Sequence, residues 1–109
     1  MAYNEENAER IADILRDVKG ITTKQMFGGL CFLLDGNMLI GVDKEDIMVR
    51  IGKERHDEYL TFEGAREMDF TKRPMRNFLF IDETGFQKET DLQAWVDRCL
   101  DFVSGLPKK

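Results

Sequence analysis

The segment Asp35-Gly36-Asn37 constrains this chain more than any other, because it stands between two apolar runs of strand length. The runs cover residues 30–34 before it and residues 38–42 after it. An Asp-Gly pair between two such runs is a strong short-range signal for a β-hairpin, since both residues tolerate the positive φ angles of a tight turn. The sequence therefore predicts an antiparallel hairpin near its centre.

Further strands are predicted on both sides of this hairpin. Residues 47–51 alternate between apolar and other side chains, as a half-buried strand does. Residues 22–27 are β-prone, and Gly28-Gly29 interrupts them as a bulge or a tight turn. These segments predict a three-stranded antiparallel meander. Residues 65–70 and 77–82 are two more strand candidates, joined by a connection that contains Pro74.

Three helices are predicted from apolar side chains at helical spacing and from helix-ending residues. The first has apolar residues from Ala8 to Val18 and closes at Gly20. A short polar helix covers residues 53–60. The last begins after Thr90 as its N-cap, and its apolar stripe consists of Leu92, Trp95, Val96, Cys99, Leu100 and Val103.

The predicted element order is α-β-β-β-α-β-β-α, in a single α+β domain that spans residues 1–109. We expect two layers, with the helices against an antiparallel sheet of five strands. No linker, internal repeat or low-complexity tract divides the 109 residues.

The residue inventory argues against several chemistries. His56 is the only histidine, and Cys31 and Cys99 are the only cysteines, so a four-ligand zinc site is not expected. The only serine is Ser104, outside any G-x-S-x-G pattern, which argues against a Ser-His-Asp mechanism. His56 stands among charged residues and is expected to be exposed. We therefore predict no metal, no cofactor and no enzymatic activity.

The charge balance bears on possible partners. Sixteen Lys and Arg side chains against 21 Asp and Glu give a formal net charge of −5. Autonomous nucleic-acid binding is not expected, because it depends on many cationic contacts to phosphates. No apolar run is long enough to cross a membrane, and the polar N-terminus is unlike a signal peptide. The two cysteines are expected to be reduced thiols, so the predicted location is cytoplasmic.

The string Met26-Phe27-Gly28-Gly29-Leu30-Cys31-Phe32, followed by Asp35-Gly36-Asn37-Met38 and residues 47–51, resembles the N-terminal domain of the TfoX/Sxy competence regulators. The segments Arg73-Pro74-Met75 and Leu92-Gln93-Ala94-Trp95-Val96 are also similar to that family, so nearly the whole chain takes part in the resemblance. The resemblance implies a two-layer fold akin to secretion chaperones and a role in bacterial gene regulation, where full-length members promote competence genes.

Two groups of residues follow as candidates. The residues expected to have a structural role within the family motif are Phe27, Gly28, Gly29, Gly36 and Pro74. Clustered basic side chains offer a docking patch for an acidic partner or a phosphate, because arginine donates in a bidentate fork. The predicted partner-binding residues are Arg50, Lys72, Arg73 and Arg76, although such charges are also common on solvated surfaces.

Residues 30–34 and 78–81 are apolar without alternation, so both faces of the sheet are expected to carry apolar side chains. A second subunit would cover the face that the helices leave free, which predicts a homodimer; a helix or loop of the same chain is the alternative. The favoured interpretation is a non-enzymatic domain that binds a regulatory protein partner. The alternative is a domain that binds or transforms a small ligand in a pocket near Gly28-Gly29 or Arg50.

Overall fold

The predicted hairpin lies in the middle of a six-stranded antiparallel sheet in the computed structural model, which describes residues 3–26, 28–68 and 76–108. Asp35 and Gly36 have φ angles of +51° and +86°, and Leu34 pairs with Asn37 across this two-residue turn. The hairpin prediction is therefore confirmed. The strands are β1 (Ile21–Met26), β2 (Gly29–Leu34), β3 (Asn37–Asp43), β4 (Asp46–Arg50), β5 (Ala65–Glu67) and β6 (Phe78–Ile81), in the spatial order β1-β2-β3-β4-β6-β5.

The expectation of five strands is wrong by one, and the Gly28-Gly29 pair is the reason. Met26 of β1 pairs directly with Gly29 of β2 in an antiparallel arrangement, and Gly28 has a φ of +77°. Gly28 thus lies in a tight turn between β1 and β2, which is one of the two alternatives predicted for the glycine pair, whereas the count of five strands treated the pair as a bulge within one strand. The bulge lies elsewhere: the pairing of β2 with β3 shifts between Phe32 and Leu33.

Within the described ranges, three helices pack against one face of the sheet, as predicted. They are α1 (Glu5–Leu15), α2 (Lys53–Leu60) and α3 (Glu89–Val103), and a 3₁₀ turn at Glu83–Gly85 precedes α3. The α+β class and the approximate element order are confirmed, the observed order being α-β-β-β-β-α-β-β-α. The fully buried side chains between helices and sheet include Trp95, Phe86, Ile11, Leu39, Ile47, Leu79 and Leu92.

Two predicted helix ends differ from the structure. The helix α1 ends at Leu15, five residues before Gly20, because the chain turns at Arg16 and the Val18 N–H donates to the Leu15 carbonyl. The N-cap of α3 is Lys88, whose carbonyl oxygen accepts from the N–H groups of Asp91 and Leu92. The predicted cap, Thr90, therefore lies inside the first turn of α3.

The other face of the sheet carries a smaller apolar cluster. Cys31, Gly41, Met48 and Phe80 are aligned across four strands, with Met48 only 1% exposed. A Cβ atom at Gly41 would lie 2.8 Å from Met48 Cε and 3.1 Å from Cys31 Sγ, so the glycine leaves room for both side chains. Because Met48 and Phe80 are buried within one chain, they do not require a second subunit to cover them.

The two glycines of the β1–β2 turn differ in what a side chain would meet, which gives a matched pair of variants. Gly28→Ala places a Cβ in open space but at a positive φ, and we expect it to lower the free energy of unfolding by about 1–2 kcal/mol. Gly29→Ala places a Cβ onto the carbonyl oxygen of Val42, and we expect a loss of about 3 kcal/mol or more. Denaturant unfolding of both variants measures the difference. If both variants lost the same free energy of unfolding, the different surroundings described for Gly28 and Gly29 would be contradicted.

Candidate functional site

A surface cleft of about 460 Å³ lies between the start of α2 and the C-terminal half of α3. Its wall includes Gly52, Lys53, Tyr59, Arg98, Asp101 and Phe102. The volume falls within the range of sites that bind small molecules or peptide side chains. Charged and aromatic side chains converge here from the two helices, and Ile51 and Gly52, which follow β4, also line the cleft.

Gly52 determines the shape of this cleft at its base. Its φ is +83°, and a Cβ atom there would lie 2.6 Å from Phe102 Cδ1 of α3. The N–H groups of Ile51 and Gly52 both donate to the carbonyl oxygen of Asn77, at 2.8 and 3.1 Å. The chain can therefore turn from β4 into α2 while Phe102 packs directly on the backbone, which only glycine permits.

Arg98 is the most distinctive side chain of the site. Its guanidinium carbon lies 4.5 Å from the ring centroid of Trp95, 4.7 Å from that of Phe62 and 5.3 Å from that of Tyr59. These distances are in the range of cation–π attraction. Within the described residues, Arg98 makes no ion pair and no hydrogen bond, so its donors are free to bind a ligand.

The three rings form one cluster with defined geometry. Tyr59 and Phe62 lie edge to face, with centroids 5.4 Å apart, and both lie 5.8 Å from Trp95. Trp95 is buried, and its Nε1–H donates to the Gly85 carbonyl oxygen at 3.1 Å. We call Tyr59, Phe62, Trp95 and Arg98 the arginine–aromatic cluster. It also lines a smaller cleft of about 170 Å³, so Arg98 stands between two concave surfaces.

Arg50, a predicted partner-binding residue, lies behind the cleft. Its Nη1 donates to the Met38 carbonyl oxygen at 3.2 Å, and its guanidinium lies 5.6 Å from the Phe78 ring and 5.9 Å from the Phe102 ring. Its Nε is buried and makes no hydrogen bond, and burial lowers the pKa of the guanidinium. Arg50 thus lies against Phe102 of the cleft wall without lining the cleft itself.

Arg76, the other described member of the predicted patch, belongs to a polar contact on α2. Its Nη2 donates to Asp57 Oδ1 at 3.1 Å, and His56 Nδ1 lies 3.2 Å from the same oxygen. The hydrogen bond with His56 and the charge of Arg76 together lower the pKa of the Asp57 carboxyl. Asn77, which follows Arg76, lines the cleft.

His56 is buried with 0% exposure, which corrects the expectation of an exposed side chain. Its Nε2 is buried without a hydrogen bond and lies 3.9 Å from Glu67 Oε1. The helical period explains the burial, since His56 shares a face of α2 with Tyr59 and Leu60. The charged neighbours in sequence point to solvent instead.

The remaining predicted residues divide into two groups. Lys72, Arg73, Pro74 and Phe27 lie outside the described residues. Gly28 and Gly36 have positive φ angles in the two tight turns described above, and Gly29 is the first residue of β2. Sequence reasoning missed the arginine–aromatic cluster, although the i, i+3 spacing of Trp95 and Arg98 on α3 makes these two side chains neighbours.

Neither thiol is placed to act as a nucleophile. Burial, assisted by the charge of Asp43, raises the pKa of Cys31 to about 11, and burial raises that of Cys99 to about 12. The described residues contain no group of three His, Cys, Asp or Glu side chains that could hold a metal ion. They also contain no helix long and apolar enough to span a bilayer.

The fold and the turns define this chain as an α+β domain with a six-stranded antiparallel sheet and helices on one face. The family model of the TfoX N-terminal domain matches residues 13–103, and the chain belongs to that family. No curated protein and no solved structure is significantly similar to it. The resemblance noted in the sequence is thereby confirmed.

The raised pKa values predict that both cysteines resist thiol reagents in the folded protein. At about pH 8 an exposed thiol is substantially ionised, whereas Cys31 and Cys99 stay protonated. We expect disulfide reagents to react at least about a hundredfold more slowly with the folded chain than with the chain in denaturant. Each of the variants Cys31→Ala and Cys99→Ala retains a single cysteine, so its reaction rate belongs to the thiol that remains. Rapid modification of either cysteine without unfolding would contradict the burial.

Proposed function

We propose that this chain is a non-enzymatic, cytoplasmic regulatory domain that binds a partner protein through the cleft between α2 and α3. The occupant would be an acidic segment of the partner. The observation that carries this proposal is Arg98, which is held over three aromatic rings and has no anionic partner among the described residues.

The composition of the cleft supports protein binding. Tryptophan, tyrosine and arginine are the residue types that contribute most to protein–protein affinity, especially where the surrounding contacts exclude water. The rings hold the Arg98 side chain in place, so little conformational entropy is lost when it binds a carboxylate. The charged side chains of the cleft wall are three cationic and two anionic: Lys53, Arg55 and Arg98 against Glu54 and Asp101.

The basic residues predicted from the sequence extend this proposal. Arg50 would act indirectly, by supporting Phe102 at the base of the cleft. Arg76 would offer its remaining donors, and Lys72 and Arg73 are proposed as further contacts on the grounds of their sequence position alone. Together they would orient the acidic segment after Arg98 has engaged it.

Membership of the TfoX N-terminal domain family supports a regulatory role, and regulation of competence genes is the form we propose. The buried, high-pKa thiols and the buried imidazole support a function without nucleophilic catalysis. The net charge of −5 supports an indirect role through a protein partner rather than autonomous binding to nucleic acid.

Binding of a small anionic molecule is the second candidate, and the cleft volume of about 460 Å³ favours it. NMR titration with a library of small carboxylates distinguishes the two. Saturable shifts at Arg98 and Lys53 from a small carboxylate, with no peptide binding at the same place, would favour the small-molecule function.

The peptide proposal predicts a specific dependence on Arg98. Peptides selected for binding from a random displayed library should carry Asp or Glu beside apolar residues. Calorimetric titration should show that Arg98→Ala weakens their binding at least about tenfold, which corresponds to about 1.4 kcal/mol. Arg16→Ala is the matched control, since Arg16 is an exposed arginine directly after the end of α1. Equal affinity of the Arg98→Ala variant and the unaltered protein, with thermal melting intact, would refute the proposal.

The homodimer also stays a prediction of the proposed function. Met48 and Phe80 do not support it, because both side chains are already buried within one chain. Light scattering coupled to size exclusion tests it across a concentration series. A mass near twice 12.7 kDa is expected for the dimer. A mass of 12.7 kDa at every concentration would contradict it and leave the cleft proposal intact.

A further inference from the structure

A second cleft, of about 540 Å³, lies between the first turns of α1 and α3. Its wall contains four glutamates and one arginine: Glu6, Glu45, Glu83, Glu89 and Arg10. We propose that this acidic cleft binds the guanidinium group of a basic peptide segment, at a place separate from Arg98.

The charge of the acidic cleft remains negative after the helix dipoles are included. Carboxylates near a helix N-terminus are often present only to offset its dipole, and Glu6 and Glu89 lie in such first turns. Each N-terminus corresponds to roughly half a positive charge. Four carboxylates and one guanidinium carry three net negative charges, so about two remain after both helix ends are counted.

Two of the carboxylates have neither an ion pair nor a hydrogen bond with any described residue. Within the described residues, Glu6 and Glu83 make no ion pair, whereas Glu89 is paired with Arg10 and Glu45 accepts a hydrogen bond from Asn4. Glu45 and Glu83 come from the β3–β4 turn and the 3₁₀ turn, so neither contributes to the first turn of α1 or α3. Free carboxylates from different elements therefore face the same cavity.

Asn7 supplies an independent indication that a ligand belongs here. It is only 8% exposed and lines the acidic cleft, and its side-chain amide makes no hydrogen bond with any described residue. Only its backbone N–H is bonded, to Asn4 Oδ1 at 3.1 Å. The amide of Asn7 therefore borders the cleft with its hydrogen-bonding capacity unused, and its oxygen is free to accept from a ligand N–H group.

Arg10 shows that the wall of the acidic cleft is suited to a guanidinium. Its Nε donates to Glu89 Oε1 at 2.7 Å, and its Nη2 donates to the carbonyl oxygens of Phe86 and Gln87, at 2.8 and 3.3 Å. Its guanidinium also lies 5.7 Å from the Phe86 ring centroid. A second guanidinium from a ligand would find the free acceptors Glu6, Glu83 and Asn7.

The spacing of the carboxylates distinguishes an organic cation from a metal ion. The described residues include no three carboxylate, imidazole or thiol groups close enough to hold a metal. A guanidinium is broader than a metal ion and donates from five N–H groups in a plane, so it can reach acceptors that are further apart. The acidic cleft therefore fits an arginine side chain better than a divalent cation.

The test uses a fluorescein-labelled peptide of alternating Gly and Arg, with binding followed by anisotropy at low ionic strength. We expect the double variant Glu6→Gln/Glu83→Gln to weaken binding at least about tenfold, because it removes the two unpaired carboxylates. The matched control is Glu5→Gln/Glu9→Gln, which removes the same charge from exposed positions of α1 that do not line the cleft. Circular dichroism melting confirms that each variant is folded.

Each outcome decides the proposal. If both double variants weakened peptide binding equally, the attraction would arise from net charge alone and the proposed site would be overturned. Absence of peptide binding by the unaltered protein would also overturn it. If the Gln variants do not fold, NMR titration of the unaltered protein decides: shifts at Asn7 and Gln87 are expected, and shifts confined elsewhere overturn the site. Arg98→Ala should bind the Arg peptide normally, so failure of this proposal is distinct from failure of the cleft at Arg98.

Discussion

The register of the four central strands is the constraint on which the rest of the structure depends. Side chains alternate along a strand, so a slip of one residue would turn every apolar side chain to the wrong face. The pairs Val49–Leu79 and Ile47–Ile81 place these residues under the helices, while the pair Met48–Phe80 points to the opposite face. The same register pairs Arg50 with Phe78, and the Arg50 guanidinium lies 5.6 Å from the Phe78 ring centroid and 5.9 Å from that of Phe102.

Local signals in the sequence were sufficient for most of the fold. The Asp35-Gly36 turn, the alternation in β4 and the stripe of α3 each follow from residues close together in the chain. The predicted number of strands was wrong at Gly28-Gly29, because a glycine pair is typical of both a tight turn and a bulge. Only the pairing of Met26 with Gly29 distinguishes the turn from the bulge. The predicted N-cap of α3 was wrong because the Lys88 carbonyl oxygen accepts the first helical hydrogen bonds. Side-chain preferences do not reveal a cap that acts through its backbone.

The candidate site was harder to predict, since it depends on contacts between distant segments. Arg98 and Trp95 are neighbours on α3, but Tyr59 and Phe62 reach them only because α2 packs beside α3. The sequence also directed attention to basic residues as a surface patch, whereas Arg50 lies partly buried between two rings. His56 was misjudged because its charged neighbours were weighed more heavily than its helical spacing from Tyr59 and Leu60.

Trp95 is the only tryptophan among the 109 residues, and it lies beneath Arg98 in contact with Tyr59 and Phe62. The indole emission of the folded domain therefore originates within the arginine–aromatic cluster itself. An anion that draws the guanidinium away from the ring alters the electric field at the indole and hence its emission wavelength. The domain thus carries an intrinsic optical reporter at its cleft, and occupancy can be followed there without attaching a dye.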